Sequence, residues 1–520
     1  MPIRLLIRAG IILSVLSLAP GMAWPQTSAD ADARAAQLLS EGLALLRAER
    51  GDEAAQRFTE ASSVDPDNPQ AHYLLGIVHE RRKDLAASRQ AYERAITLDP
   101  RLAAAHDRLG FVLGLQGQTD KALQSFERAV ALEPGLFDAQ YHLGVTRWLR
   151  RDAQAARGPL ESAVALRPRH AEAHYYLGLV LRALGSLPEA IEHLRTATES
   201  NPTLAIAHAH LGIALREHGD LDEALAVTRR AVELDPARFD ALNGLGLIQM
   251  QRGDAEGAVA TFEKLVTLHP DDATGRLNLG TALMQKGDLA GAVDVLRSLT
   301  DRRPEHAEAF YNLGTALKQQ DDFAGAEAAL REAVRLNPQL PDAHYTLGVV
   351  LWQTRRLPEA AESFRAATRA KPDYAQGYYM LGTILRQQGE LDAALAQFRR
   401  TLELEPESPE AHLSVGQVLQ RQGDVAGADK AFAEAQRLNE RKAASQAAMF
   451  ALSVGQQRLR QNDVAAAIER LREAVRLDAN NARAHLELAR ALRRQGHVTE
   501  ARTHLAEARR LDPALARQEP

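Results

Sequence analysis

The 520-residue chain contains no cysteine, and several other features are scarce. Without a thiol there can be no disulfide framework, no thiolate nucleophile and no cysteine-ligated zinc. Aromatic residues make up only 5% of the chain, and the net charge of −5 is not that of a nucleic-acid-binding protein. Beyond the N-terminal segment, no apolar run is long enough to cross a membrane. The composition therefore argues against several functional classes.

The familiar catalytic and nucleotide-binding motifs are also missing from the sequence. It contains no GxxxxGK[ST] phosphate loop, no GxGxxG after a strand pattern and no GxSxG nucleophile elbow. No unrepeated stretch is long enough to form a separate catalytic domain. We therefore expect a protein that is not an enzyme and that binds no cofactor.

The N-terminus has the pattern of a secretory signal. Arg4 and Arg8 precede an apolar stretch over residues 9–19, and Gly21, Met22 and Ala23 follow it. This pattern predicts a signal peptide over residues 1–23, cleaved after Ala23, and a linker over 24–34. The predicted location is the bacterial periplasm. The alternative is an uncleaved segment that anchors the chain in the inner membrane.

A 34-residue repeat organises nearly all of the remaining chain. Glycines recur every 34 residues from Gly42 to Gly416, with an alanine twelve residues after nearly every one and a proline 24 residues after. In 171–204, two runs of apolar residues at helical spacing are separated by a turn, and Pro202 ends the second run. Gly178 and Ala190 are small where the two helices would approach closely. Each unit is thus predicted to be a pair of helices that is stable only when stacked on others.

The order Leu-Gly, Ala, aromatic or Leu, Ala, Pro resembles the tetratricopeptide repeat family. Twelve contiguous units fill 35–442, the five residues AASQA at 443–447 break the phase, two further units occupy 448–515, and a short tail covers 516–520. The resemblance implies an all-α, right-handed superhelical solenoid of about fourteen repeats, whose groove is lined by the first helix of each repeat. Because no proline interrupts 425–460, we expect the second helix of the twelfth unit to run on, or a longer connector to form.

We count places from the first residue of each unit, so that in 171–204 the first place is Ala171. Histidine occupies the fourth place of seven units, and His170 precedes His174 by four residues, one helical turn. Equivalent residues of neighbouring helices lie about 8–10 Å apart, too far to share a zinc ion bound at about 2.1 Å. The segment HAEAH lacks the glutamate of HExxH and has no evident third ligand. We therefore predict packing histidines and no metal site.

The better candidates for binding are aromatic side chains that the resemblance places in the groove. The fifth place of the first helix carries Tyr73, Tyr141, Tyr175, Tyr311, Tyr345 and Tyr379, and tryptophans follow seven residues after two of them, at Trp148 and Trp352. Tyr141 with Trp148, and Tyr345 with Trp352, are expected to form two aromatic patches. The second place is often acidic, at Asp138, Glu172, Asp240, Glu308, Asp342 and Glu410.

These features suit a polypeptide segment that is apolar and basic. The leading hypothesis is a protein–protein interaction scaffold that holds such a segment, in cell-envelope assembly or secretion. The alternative is a carbohydrate-handling accessory protein in polysaccharide export, in which sugars would stack on the aromatic rings.

Overall fold

The computed structural model describes residues 29–513, and every regular element in that part is an α-helix. The chain divides into an N-terminal region, Met1–Lys286, and a C-terminal region, Gly287–Pro520. The predicted signal peptide and tail lie outside the described residues. No helix within 29–513 is both long and apolar enough to span a bilayer.

The described part of the N-terminal region contains fifteen helices. In chain order they are α1 Ala29–Arg47, α2 Gly51–Val64, α3 Pro69–Arg81, α4 Leu85–Leu98, α5 Ala103–Leu115, α6 Thr119–Leu132, α7 Phe137–Leu149, α8 Ala153–Leu166, α9 Ala171–Ala183, α10 Leu187–Ser200, α11 Ala205–His218, α12 Leu221–Leu234, α13 Phe239–Gln251, α14 Ala255–Leu268 and α15 Ala273–Lys286. Because α1 begins at Ala29, residues 29–34 of the predicted linker are helical.

The described part of the C-terminal region contains twelve helices. They are α16 Leu289–Arg302, α17 Ala307–Gln319, α18 Phe323–Leu336, α19 Pro341–Gln353, α20 Leu357–Ala370, α21 Ala375–Gln388, α22 Leu391–Leu404, α23 Pro409–Gln422, α24 Val425–Arg460, α25 Val464–Leu477, α26 Ala482–Gln495 and α27 Val498–Leu511. Within each region consecutive helices pack against one another, which confirms the predicted all-α stack of helix pairs.

The small residues of the repeat sit where the paired helices touch. A Cβ atom added to Gly178 of α9 would lie 2.6 Å from Leu194 Cγ of α10, closer than two carbon atoms can pack. Ala190 is fully buried in the same contact. A larger residue at either place would push the helices apart, so the glycine and the alanine fix the spacing of the pair.

The turn between the two helices of each repeat requires a left-handed backbone conformation, with positive φ, at the fifteenth residue of the repeat. Eight of the fourteen repeats use glycine there, as at Gly185 with a φ of 82°. The other six adopt the same conformation with a side chain present, at Glu49, Lys83, Arg151, Asp321, Arg355 and Asn462. A non-glycine residue in this conformation costs roughly 1 kcal/mol, which the packing on either side of the turn must offset.

The phase break lies inside one long helix. Helix α24 runs uninterrupted for 36 residues, which corresponds to about 54 Å. Its first half places Phe432 against Gly416 of α23, and its second half places Gly455 against Leu471 of α25. The prediction that the second helix of the twelfth unit runs on is confirmed. This one helix thus serves as the second helix of one repeat and the first helix of the next.

Candidate functional site

Places 2, 5, 9 and 12 of each first helix share one helical face. Most first helices of neighbouring repeats also contact one another within each region, as α11 and α13 do. Their faces therefore form a row along each region, which we call the first-helix surface. All of the predicted tyrosine and tryptophan site residues belong to it.

The tyrosines at the fifth place are less accessible than the sequence suggested. Five of the six are half-buried, and Tyr175 is only 6% exposed. The Tyr175 ring packs 5.0 Å from Tyr176 and 5.6 Å from His210, measured between ring centroids. Burial raises the pKa of Tyr73 to about 12. Tyr175 therefore offers a partner almost no surface, contrary to expectation.

The fifth place of one repeat meets the sixth place of the next repeat, 35 residues later. Tyr141 packs 6.1 Å from Tyr176 between ring centroids, and the Asn278 side chain donates a 2.8 Å hydrogen bond to Asn243. Sequence reasoning on single repeats missed this contact. Comparing residues 35 positions apart would have found it, because in both examples the two residues are of the same type. The fifth place therefore joins repeats as well as lining the surface.

The two tyrosine–tryptophan patches stay a prediction, and Tyr141 and Trp148 pack against the same core cluster. Among residues 29–513, no ring contact joins Tyr141 to Trp148 or Tyr345 to Trp352, because seven residues of helix separate them by about 10.5 Å along the axis. Tyr141 instead stacks on Phe137 at 5.8 Å between ring centroids.

The two tryptophans have separate surroundings. The half-buried Trp148 packs against the apolar core that follows it in the stack, and Trp352 donates its indole N–H to Gln387 at 3.2 Å. Tyr345, the other member of its predicted pair, lies beside Tyr374 at 5.4 Å between ring centroids. Tyr345 and Trp352 therefore have different side-chain partners.

The ninth place distinguishes the two regions. In the N-terminal region it is apolar in seven repeats, at Leu43, Ile77, Phe111, Val145, Leu179, Ile213 and Leu247, and it is Thr281 in the eighth. In the C-terminal region it is mostly polar, at Thr315, Val349, Thr383, Gln417, Gln456 and Arg490. All but two of these side chains, Val145 and Leu179, are half-buried and so retain some exposed area. Only the N-terminal region therefore carries a long apolar row.

The acidic second place is partly neutralised by the protein itself. Asp138 lies 3.7 Å from Arg167. Glu172 lies 3.6 Å from Nδ1 of His170, but that atom accepts the Ala173 N–H and does not neutralise the carboxylate. Asp342 accepts a 3.1 Å hydrogen bond from the Tyr374 hydroxyl. The attraction of this row for a basic partner is weaker than a count of its carboxylates suggests.

A set of buried charges lies beneath the first-helix surface of the second to fourth repeats. Glu80 accepts a 2.8 Å hydrogen bond from the Tyr92 hydroxyl and lies 3.4 Å from Arg108, and both ionic side chains are less than 20% exposed. Although burial opposes the charge, Glu80 and Asp107 raise the pKa of Arg108 above its ordinary value. Asp107 is buried and accepts a 2.8 Å hydrogen bond from Nδ1 of His142. No sequence motif marked this network.

The histidines at the fourth place tie each repeat to the one before it. In all seven, Nε2 lies 3.0–3.1 Å from the backbone carbonyl oxygen six residues earlier, at His72, His106, His174, His208, His344, His412 and His485. Gln140 makes the equivalent bond to Pro134 at 2.9 Å. Since a carbonyl only accepts, each histidine carries its proton on Nε2 here. These residues have the packing role predicted for them.

The structure separates His170 from His174 and pairs the latter with another histidine. His170 caps α9, where its Nδ1 accepts the Ala173 N–H at 3.2 Å. His174 Nδ1 lies 2.9 Å from His193 Nδ1, and His485 and His504 repeat this arrangement at 3.0 Å. Because His174 is protonated on Nε2, His193 is the donor of that bond. Within 29–513, no group of three or more potential metal ligands is found.

Stacked helix pairs, a positive-φ turn in every repeat and a first-helix surface define a helical-repeat scaffold. Two tetratricopeptide repeat profiles match the chain, one over 39–103, 150–205 and 455–516 and the other over 103–136. The profile of the cilia and flagella-associated protein 70 C-terminal domain matches 203–451. The chain belongs to the tetratricopeptide repeat family.

The chain is similar to several solved structures of other proteins. Yeast Tom70 is 15% identical, with a TM-score of 0.42, covering 75% of this chain and 96% of its own. YrrB, described as a TPR protein with an unusual peptide-binding site, is 24% identical, with a TM-score of 0.34, covering 36% of this chain and 97% of its own. A comparison with curated proteins gave no match. The family assignment therefore rests on the repeat profiles.

Proposed function

We propose that this protein is a non-enzymatic scaffold that holds a segment of a partner polypeptide along its first-helix surface. The observation that carries the proposal is the apolar row at the ninth place of the N-terminal region, where side chains such as Ile213 and Leu247 are half-exposed. An apolar strip with polar neighbours has the character of a protein-binding surface, and here five of the seven side chains keep some exposed area while Val145 and Leu179 are buried. Each repeat adds one contact, so a segment several residues long would be held by many weak contacts.

The partner segment is expected to be mainly apolar, with basic residues beside the acidic second place. Because Asp138 and Asp342 already have partners, apolar contact contributes more of the affinity than charge does. The C-terminal region, with glutamine and arginine at its last ninth places, would bind a more polar segment or a different part of the partner.

The predicted signal peptide supports a role outside the cytoplasm, in envelope assembly or secretion. The carbohydrate-handling alternative needs exposed ring faces on which sugars can stack. The burial of Tyr175 and the hydrogen bond of Trp352 within the protein give that alternative no support.

Site-specific photo-crosslinking tests the proposal. A benzoylphenylalanine residue would replace Ile213 or Leu247 in the native host, and mass spectrometry would identify the adducts. A bound segment should be crosslinked at successive residues from these two successive repeats. Arg229, an exposed residue on the second helix α12, is the matched control and should yield no such adduct. Absence of a polypeptide adduct at both ninth places would overturn the proposal.

A further inference from the structure

The twelfth place of the third repeat has no side chain. The other thirteen repeats carry one there, at Leu46, Glu80, Trp148, Arg182, Arg216, Met250, Met284, Lys318, Trp352, Arg386, Gln420, Leu459 and Arg493. The third repeat has Gly114, inside helix α5. A Cβ atom at Gly114 would meet only Ala122 Cβ, at 3.9 Å, so close packing does not require glycine here. Gly114 lies in the last turn of α5, and glycine is a weaker helix former than the residues that the other repeats carry at this place.

The missing side chain leaves a cavity of about 290 Å³ among α5, α6 and α7. Phe111, Leu115, Phe126, Val145 and Leu149 form its apolar walls. The exposed Arg150 stands at its edge, so the cavity can be reached from solvent. This volume lies at the small end of the range for ligand pockets, which suits one large side chain rather than a cofactor.

His142 gives the cavity one oriented polar group. Its Nδ1–H donates to the buried Asp107 carboxylate at 2.8 Å. In the neutral imidazole this bond fixes the proton on Nδ1 and leaves Nε2 as a hydrogen-bond acceptor. Among residues 29–513 no hydrogen-bond partner of Nε2 is found, and His142 lines the cavity. Thr119 and Thr146 also line the cavity, but their hydroxyls can rotate between donating and accepting. An apolar chamber with one acceptor held in place is complementary to an aromatic ring that bears one donor.

We propose that this cavity binds a tryptophan side chain of the partner polypeptide, with its indole N–H donating to His142 Nε2. The proposal rests on the proposed function, because it names an anchor residue for the same surface. Tryptophan fits since its ring is large and apolar, and its only polar atom is a donor. Phe111 belongs to both the apolar row and the cavity wall, so the anchor site is continuous with that row.

A matched pair of small probes tests the donor requirement in the full-length chain. N-acetyl-tryptophanamide and its 1-methylindole analogue differ only in the N–H group, and ligand-observed NMR titration measures both affinities. We expect the methylated probe to bind about tenfold more weakly, because it leaves the acceptor unsatisfied. Equal affinities, or tighter binding by N-acetyl-tyrosinamide, would overturn the tryptophan assignment.

Filling the cavity gives a second test. Gly114→Leu restores the side chain that the equivalent Leu46 and Leu459 provide, so binding of N-acetyl-tryptophanamide should be lost. The melting temperature should stay the same or rise, because the substitution replaces a glycine in the last turn of α5 by a better helix former. Gly51→Leu is the control, since a Cβ there meets nothing within 4 Å and the site is distant in the chain. Unchanged binding by a folded Gly114→Leu protein would refute the site.

The Asp107→Asn variant tests whether Asp107 orients the His142 ring or only supports the local structure. The asparagine amide can donate to Nδ1, which moves the imidazole proton to Nε2 and turns the acceptor into a donor. The preference for the unmethylated probe should then disappear. A purely structural effect would weaken both probes equally and leave their ratio at about ten. Polypeptide crosslinks from Leu247 without probe binding would reject the anchor alone, while probe binding without crosslinks would reject the proposed function.

Discussion

The N-terminal and C-terminal regions are built from the same 34-residue repeat, yet they present different surfaces. The N-terminal region has an apolar ninth place, a set of buried charges around Glu80 and Arg108, and the cavity at Gly114. The C-terminal region has threonine, glutamine and arginine at most of its ninth places, and many of its ion pairs, such as Arg400 with Glu403, are exposed. The repeat signature sets the packing of helix pairs, while the places outside it are free to differ.

The long helix α24 offers the strongest way to disturb one region without the other. Ala443 is exposed at the middle of α24. Ala443→Pro should lower the free energy of unfolding by about 3 kcal/mol or more, because proline removes a backbone hydrogen bond of the helix. Ala443→Gly, the control, should cost about 1 kcal/mol. Hydrogen exchange should show lost protection in α24 and α25 but not in α3–α7. Equal protection in the two variants would contradict a continuous helix.

Buried and exposed ion pairs should respond differently to the same chemical change. Glu80→Gln leaves the Arg108 charge poorly compensated, and we expect a loss of about 3 kcal/mol. Glu403→Gln in the C-terminal region removes an exposed pair and should cost less than about 0.5 kcal/mol. Urea denaturation followed by circular dichroism measures both. Similar small losses would show that the network near Glu80 is no more important than a surface pair.

Acidification should weaken the N-terminal region more than the C-terminal region. Burial lowers the pKa of six of its histidines, His106, His170, His174, His193, His208 and His210, whereas in the described C-terminal region this holds for His504.

For His210, burial lowers the pKa to about 4, while Asp240 opposes this shift and Arg182 and Arg238 add to it. The unfolded chain takes up a proton near pH 6.5, so stability is retained above that pH and lost as the pH falls toward 4. Between pH 7 and pH 5 the titration of His210 alone should lower the free energy of unfolding by about 2 kcal/mol. The His210→Gln variant should show a correspondingly smaller loss of stability in urea denaturation at these pH values. An identical pH dependence in both proteins would contradict the assignment.

The smallest expected effects concern the turn, which both regions share. Arg355 has a φ of 63° and Gly389 a φ of 85° at the same place of neighbouring repeats. Arg355→Gly should stabilise by about 0.5–1 kcal/mol, and Gly389→Ala should destabilise by about 1 kcal/mol. Thermal unfolding measures both changes. The same sign for the two substitutions would show that this place carries no left-handed strain.

The sequence was sufficient to predict the helix pairs, the small residues between them and the run-on of α24, because these depend on local period and on proline placement. The buried state of Tyr175 and the bond between Asp107 and His142 could not be predicted in that way. Both arise between neighbouring repeats, where side chains about 35 residues apart meet only after the repeats have stacked. The unmatched Gly114 was visible in the sequence, but only the structure shows the cavity that it leaves.

The central claim is that the apolar first-helix surface of the N-terminal region holds a polypeptide. The most direct measurement compares photo-crosslinking yields from two ninth-place residues, Leu247 in that region and Thr383 in the C-terminal region, both half-buried. With a benzoylphenylalanine residue at each place in turn, we predict a several-fold higher yield of a single polypeptide adduct from position 247. An equal yield from both positions, or an adduct from position 383 alone, would contradict the account.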